Sequence, residues 1–506
     1  MTLSPSVPTP VTPIDADPEH VTDHLGGATP PLPTGFLDTL HATGAEVLTD
    51  DAARAEAGRD WWPLAIGWAT EGAVPQRPAV VVRPHNTHEV AAVLSAANEA
   101  MVAVTPMAGR SGVCGGSIPV HGGVSLDLTG LSGLVHVDEV SMTADVRAGT
   151  FGPDLEAALS QVGASYTLGH WPQSMDLSTV GGWLACRGAG QYSTRYGKIE
   201  DMVIGLEVVL ADGRIVHTEG KGPRAATGPN LTQLFVGSEG TLGVITEARF
   251  RIHPTPPAQE RRAFGFASFE AGLDACRKIL RRGATPAVLR LYDQAESGRN
   301  FDQPDTNLLI VLDETDPALL AATLAVVDDE CAAAGAAVHD VALVERWLGH
   351  RNDVSALAPL WRAGVVVDTA EISGPWAALP GLFEEVIGSL QAIEGTLAAS
   401  AHQSHAYSDG ACLYFTFGGR GPEGDDAWRE RYYRQAWDTV TNATLAHGAA
   451  ISHHHGIGLN RSRFLAEALG AGFEVLARLK KTFDPVGILN PGKLGLQSPF
   501  GSSPWQ

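Results

Sequence analysis

Cysteine is scarce in this 506-residue chain: Cys114, Cys186, Cys276, Cys331 and Cys412 lie far apart and form no C-x-x-C pair. An odd, scattered set argues against a disulfide framework or a structural zinc site. A reducing compartment suits it, so a cytoplasmic location is expected. Basic charge is short as well, with 35 Lys plus Arg against 57 Asp plus Glu and a formal charge of −22. Such a chain repels phosphate backbones and anionic bilayers, so nucleic acid is not an expected partner and membrane contact would be peripheral. No apolar run approaches the ~18 to 20 residues that span a bilayer, and nothing at the start reads as a signal peptide. Several signatures of common chemistry are also missing: no G-x-G-x-x-G follows the first strand, and G-x-x-x-x-G-K-[ST], G-x-S-x-G and H-E-x-x-H do not occur. Nicotinamide, ATP, serine-hydrolase and zincin readings lose their usual support.

Glycine, by contrast, is abundant at 57 residues, above the usual ~7% and consistent with backbone that approaches a ligand closely. The chain divides by texture. Residues 1–33 hold eight prolines and few large apolar residues, which predicts a disordered tail. Residues 34–74 read as helical and carry Trp61, Trp62 and Trp68, an aromatic anchor between domains. From 75 to 255 short strands and helices alternate. Ala79–Val82 is a strand, Asn86 and Glu89 form a capping pair before a helix, and Asp212-Gly213 marks a hairpin. Residues 256–450 shift to longer amphipathic stretches and read as a second α/β domain. Residues 451–506, punctuated by Pro and Gly, are expected to return to the first domain.

Three glycine-bearing segments of the first domain combine small residues with hydroxyls, as backbone anion nests require. They are Pro106-Met-Ala-Gly-Arg-Ser-Gly-Val113, Pro172 to Trp183, and Gly237 to Thr246. Along Ala411 to Phe417, strand alternation puts Ala411, Leu413, Phe415 and Phe417 on one face and Cys412, Tyr414 and Thr416 on the other. His453, His454 and His455 are consecutive; in a strand only the first and third would share a face, which disfavours a common metal. Arg290 and Arg351 are guanidinium groups suited to bidentate phosphate contact, or to ordinary salt bridges.

The order and spacing of these segments resemble the FAD-binding domain of the vanillyl-alcohol oxidase or p-cresol methylhydroxylase type. Within that superfamily, residues 60–494 resemble the alkyldihydroxyacetonephosphate synthase family. The stretches that carry the resemblance are Ser178-Thr-Val-Gly-Gly-Trp183, Tyr196-Gly-Lys-Ile-Glu-Asp201, Gly222 to Pro229, Gly237 to Thr246, Asp409-Gly-Ala-Cys-Leu-Tyr-Phe415 and Ser452-His-His-His-Gly-Ile-Gly458. It implies an α+β fold, with a two-subdomain FAD-binding domain and an α/β cap domain for substrate. It also implies FAD contacts from Pro106, Met107, Ala108, Gly109, Arg110, Ser111, Gly112 and Val113, from Pro172, Ser174, Met175, Ser178, Thr179, Gly181 and Gly182, and from Glu239, Gly240, Gly243, Val244 and Ile245. Ala108-Gly109-Arg110 stands where the family has three glycines, so Arg110 either pairs a phosphate or points to solvent. Relatives often attach flavin through a His in this loop; none lies between Pro106 and Gly116, so dissociable FAD is expected.

The same resemblance implies catalytic roles for Tyr414, His453, His454 and His455, phosphate binding by Arg290 and Arg351, no metal, a lipid or other small-molecule substrate, and a homodimer. The implied reaction exchanges the acyl group of acyl-dihydroxyacetone phosphate for a long-chain alcohol through flavin N5, with no net redox change. The alternative on the same fold is an FAD-dependent oxidase or dehydrogenase of an alcohol or 2-hydroxy acid. Hydroxy-acid relatives show H-x-G-D-G-N-x-H and G-E-H-G-x-G, whose two His and a Glu bind a metal. Here Tyr414 is expected in place of the second His and His454 in place of the Glu, which removes a hard-cation site.

Overall fold

The computed structural model describes residues 14–25, 30–218, 222–423, 425, 427–503 and 505. The fold is α+β, as the sequence pattern predicts, and rests on three main sheets. In the first, Glu46–Leu48, Val80–Arg83, Val124–Asp127 and Val104–Met107 lie side by side in that order. The last three strands are parallel, and the helix Thr87–Ala100 connects Val80–Arg83 to Val104–Met107. That helix starts where its cap dictates: the Asn86 side chain accepts from Glu89 N at 3.0 Å, and the Glu89 carboxylate accepts from His85 N at 2.7 Å. Val90, Val93, Leu94 and Ala97 are its buried stripe.

The second sheet is antiparallel and runs Ile215–His217, Val203–Val209, Val244–Arg251, Thr143–Arg147, Leu134–Asp138. Its first hairpin turns at Asp212-Gly213, where Gly213 has φ +85° and Val209 faces Ile215.

The third sheet forms the cap. Its antiparallel strands are, in order, Ala337–Val338, Ala258–Phe266, Asn307–Thr315, Val288–Tyr292, Thr396–Ala406, Gly410–Gly419 and Val366–Pro375. Helices Phe269–Arg281, Pro317–Ala333, Leu379–Gln391 and Trp428–Ala446 supply the other half of its core, which takes in Ala411, Leu413, Phe415 and Phe417. The apolar half of the Gly410–Gly419 alternation therefore faces the core, which leaves Tyr414 and Thr416 for the opposite side.

Two parts of the N-terminal region differ from the sequence expectation. Residues 14–25, expected within a disordered tail, dock on the folded chain. Thr22–Asp23 pairs with Ala73–Val74, Val21 is buried, and the Asp15 carboxylate meets Arg362 at 2.6 Å. The segment borrows a surface built elsewhere, which its own composition does not reveal; residues 1–13 lie outside the described residues. Residues 34–74, expected to be helical, also contain the strand Glu46–Leu48, which opens the first sheet by pairing with Val80–Arg83. Three residues are too few for a periodicity signal. Trp62 is fully buried and donates to Tyr433 Oη at 2.8 Å, so the aromatic cluster ties the N-terminal segment to the cap.

The C-terminal segment packs against the first domain. Ile488 and Asn490 hydrogen-bond the backbone of Val104, and Asn490 Nδ2 donates to the carbonyls of Gly116 and Glu239. No described helix is long and apolar enough to cross a membrane.

Candidate active site

A cavity of about 860 Å³ opens where the glycine segments face the cap sheet, a size within the range of cofactor and substrate sites. Pro106, Met107, Ala108, Gly109, Arg110, Ser111, Gly112 and Val113 line it, as do Pro172, Ser174, Ser178, Thr179, Gly181, Gly182, Glu239, Gly240, Gly243, Val244 and Ile245. From the cap side come Arg290, Arg351, Tyr414, His454 and His455. Two expected residues stand back from it. Met175 is buried in the core of the second sheet, its sulfur against Gly152, because the turn that presents Ser174 to the cavity points the next side chain inward. His453 sits behind its two neighbours, against His405 and Tyr407.

The nucleotide side fits a flavin dinucleotide. Among the described residues, no hydrogen bond uses the backbone N–H groups of Gly109 to Val113, which leaves them free for an anion. Thr179 Oγ1 and Ser117 Oγ are buried without a partner among the described residues, and both residues line the cavity. Arg110 lines the cavity and also reaches the scaffold behind it. Its backbone is left-handed, φ +54°, and its guanidinium folds back onto the carbonyl and carboxylate of Glu56. Glu239 also turns its side chain away from the nucleotide, accepting from Ile457 N at 2.6 Å and Gly458 N at 2.8 Å. It staples the return segment to the glycine loops.

Gly109 is fixed by packing, since a Cβ there would lie 2.0 Å from the Leu177 carbonyl oxygen. Gly109→Ala must therefore push the two flavin loops apart, at about 1–3 kcal/mol. The expected result is a lowered flavin-to-protein absorbance ratio after gel filtration; a wild-type ratio would contradict it.

Register builds the catalytic side. Tyr414 lies directly across from His402 on one neighbouring strand and Glu371 on the other, so the three side chains share one face. Tyr414 Oη and His455 Nε2 are 3.2 Å apart. Burial, reinforced by Glu371 and Asp368, raises the Tyr414 phenol. Burial also lowers His455 to about 4, with Glu371 opposing and Arg461 assisting. A neutral imidazole thus accepts from a protonated phenol. On the far side of that ring, His455 Nδ1 is 3.6 Å from Glu371 Oε1, so a proton passed from Tyr414 to His455 would arrive beside a carboxylate.

Glu371 also shapes the turn. It accepts from Ser452 Oγ at 2.9 Å, His453 N, His455 N at 2.9 Å and Arg461 Nη1 at 2.8 Å, and both Glu371 and Arg461 are fully buried. Residues 452–455 are accordingly a bend and not a strand, and the strand argument about alternate faces does not apply. Consecutive rings lie 5.1 and 4.4 Å apart, and burial holds His453 and His454 well below the usual histidine value.

His405 and Cys412 are direct cross-strand partners. Donor atoms of His405, Cys412, His453 and His454 lie within 4.8 Å of one another, a convergence the sequence spacing did not suggest. The set has no carboxylate, so it does not restore an oxygen-rich site, and His453 Nδ1 already pairs with His454 Nδ1 at 2.9 Å.

Also lining the cavity, Arg290 and Arg351 pack over the same indole, Trp347, at 6.0 and 5.6 Å from its centroid. Arg290 Nε and Arg351 Nη1 are buried without a partner among the described residues. Sequence reasoning missed Glu371, Arg461 and His170. The His170 imidazole lines the cavity, is fully buried against Trp183, and has neither nitrogen bonded among the described residues. Its place in the segment before Pro172 was the available signal.

Residues 78–219 match the family model described as FAD binding domain, and residues 255–494 match FAD linked oxidases, C-terminal domain. Fold, site and family matches thus define a two-domain FAD-linked enzyme, with FAD as its cofactor. An uncharacterized FAD-linked oxidoreductase of Escherichia coli is 31% identical over 436 residues, covering 82% of this chain and 89% of that one. The alkyldihydroxyacetonephosphate synthase of Dictyostelium discoideum is 31% identical over 461 residues, covering 84% and 74%. A solved alkyldihydroxyacetonephosphate synthase structure superposes with a TM-score of 0.78 at 27% identity, over 94% of this chain and 88% of that one. The chain belongs to the alkyldihydroxyacetonephosphate synthase family of FAD-dependent enzymes.

Proposed function

We propose that the protein exchanges the acyl group of acyl-dihydroxyacetone phosphate for a long-chain alcohol, giving the alkyl ether and a fatty acid. The observation that carries this reading is that a phenol–imidazole pair backed by Glu371 shares one cavity with two aromatic-stacked guanidinium groups, Arg290 reaching the His402 ring that stacks on Tyr414. Arg290 and Arg351 hold the phosphate. Tyr414 and His455 take the proton next to the substrate carbonyl and later the hydroxyl proton of the incoming alcohol, while His454 keeps water from the same wall. The backbone of Gly109 to Val113 and the Ser178 to Gly182 segment would hold non-covalent FAD, which would supply an electrophilic ring. Trp61, Pro63, Val354 and Leu357 give an apolar wall that ends at the exposed Leu360, which suits acyl and alkyl chains and a peripheral membrane contact in a cytoplasmic homodimer. Purified holoenzyme given palmitoyl-dihydroxyacetone phosphate and labelled hexadecanol should yield labelled ether; no ether would overturn the reading.

The rival reading, a dehydrogenase of a 2-hydroxy acid or alcohol, draws on the converging donors His405, Cys412, His453 and His454. Metal removal separates the two. The transferase needs no cation, so a strong chelator followed by gel filtration should leave ether formation within about twofold of the untreated enzyme. Loss of activity restored by a divalent cation would favour the rival.

A further inference from the structure

A second buried carboxylate–imidazole pair joins His402, on the strand two away from that of Glu371, to Glu296 on the helix Gln294–Phe301. The Glu296 carboxylate meets His402 Nδ1 at 2.7 Å, and His402 Nε2 contacts Arg290 Nη2. A guanidinium only donates, so Nε2 must be the acceptor. The proton of a neutral His402 therefore sits on Nδ1 and is donated to Glu296. Burial, followed by the Arg290 charge, lowers the His402 imidazole in the same sense. Glu296 is itself over-determined: it accepts from Thr416 Oγ1 at 2.8 Å and Ser400 Oγ at 3.2 Å and pairs with Arg299 at 3.1 Å. The His402 ring is also stacked on Tyr414, 5.0 Å between centroids.

We infer that Glu296 and His402 are positioning residues that aim Arg290 at the anionic group of the substrate. The geometry leaves that guanidinium little freedom. One nitrogen is tied to His402, its plane rests on Tyr292 and Trp347 at 5.4 and 6.0 Å, and Nε remains buried and uncommitted. Without the His402 acceptor the guanidinium could swing to the Glu296 carboxylate and neutralise itself, closing the anion site. The imidazole between them separates cation from carboxylate while transmitting the constraint. This inference rests on the reading of Arg290 as an anion clamp.

The test uses FAD-loaded enzyme and inorganic phosphate as the probe, titrated by calorimetry, with KM and kcat for palmitoyl-dihydroxyacetone phosphate measured alongside. His402→Phe keeps the ring stack and removes the acceptor; His402→Gln places an amide oxygen near the position of Nε2. His402→Phe should weaken phosphate binding and raise KM about tenfold or more, with kcat within about threefold and an unchanged flavin spectrum. His402→Gln should recover most of the loss. If Arg290→Ala weakens phosphate binding and His402→Phe does not, or if His402→Gln is as impaired as His402→Phe, the positioning role is overturned and the clamp stands. If Arg290→Ala itself leaves phosphate binding unchanged, the anion site and this inference fall together.

Discussion

Tyr414→Phe should lower ether formation by about 10²- to 10⁴-fold, the range for a removed general acid–base group, with flavin content and melting temperature close to wild type. The hydroxyl is the only atom lost. The ring still packs on His402 at 5.0 Å and on His454 at 6.0 Å, so the wall of the cavity is kept. What disappears is the 3.2 Å contact to His455 Nε2, through which a proton at Tyr414 can reach the imidazole facing Glu371. His455→Ala should cost a similar factor, and the double variant little more, because two members of one relay do not contribute independently. Single-turnover assays under saturating substrate check this. Multiplicative losses in the double variant would show that the two groups serve different steps.

Glu371→Leu should destabilise the protein by about 3–5 kcal/mol, the usual cost of leaving one member of a buried ion pair alone. Arg461 is fully buried, stacked 4.8 Å from the centre of Trp437, and has the Glu371 carboxylate as its anionic partner. The substitution also strips acceptors from Ser452 Oγ, His453 N and His455 N. Both folding and the histidine bend should suffer. The paired variant Glu371→Leu with Arg461→Met should regain much of the melting temperature, since apolar replacement of both partners is tolerated, but no activity, since the bend is still unsupported. Calorimetry on the FAD-loaded forms decides. A paired variant as unstable as the single one would mean that backbone donors, not Arg461, dominate the cost.

Much of this site was legible because it depends on local pattern. Alternation along Ala411 to Phe417 already placed Tyr414 opposite the core residues, and the glycine segments face the cavity with their backbone, as small residues between hydroxyls suggest. The parts that were not legible depend on register. Glu371, His402 and Tyr414 are far apart in sequence and meet only because three antiparallel strands align them. Nothing in Thr369-Ala-Glu-Ile372 distinguishes Glu371 from a surface carboxylate, and its burial is decided by Arg461 arriving from the end of the chain. The same holds for Cys412 and His405, which register brings together beside His453 and His454. Arg110 and Glu239 show the converse: each lies in a cofactor loop, yet its side chain serves the scaffold while its backbone faces the cavity.

The stoichiometry of an anaerobic reaction tests the central claim most directly. With enzyme, palmitoyl-dihydroxyacetone phosphate and hexadecanol, one palmitate should be released for each ether formed, and the flavin should return to its oxidised spectrum without oxygen. Lasting bleaching of the flavin by alcohol or hydroxy acid, with aldehyde or keto acid as product and no ether, would contradict the account and make the chain an oxidoreductase.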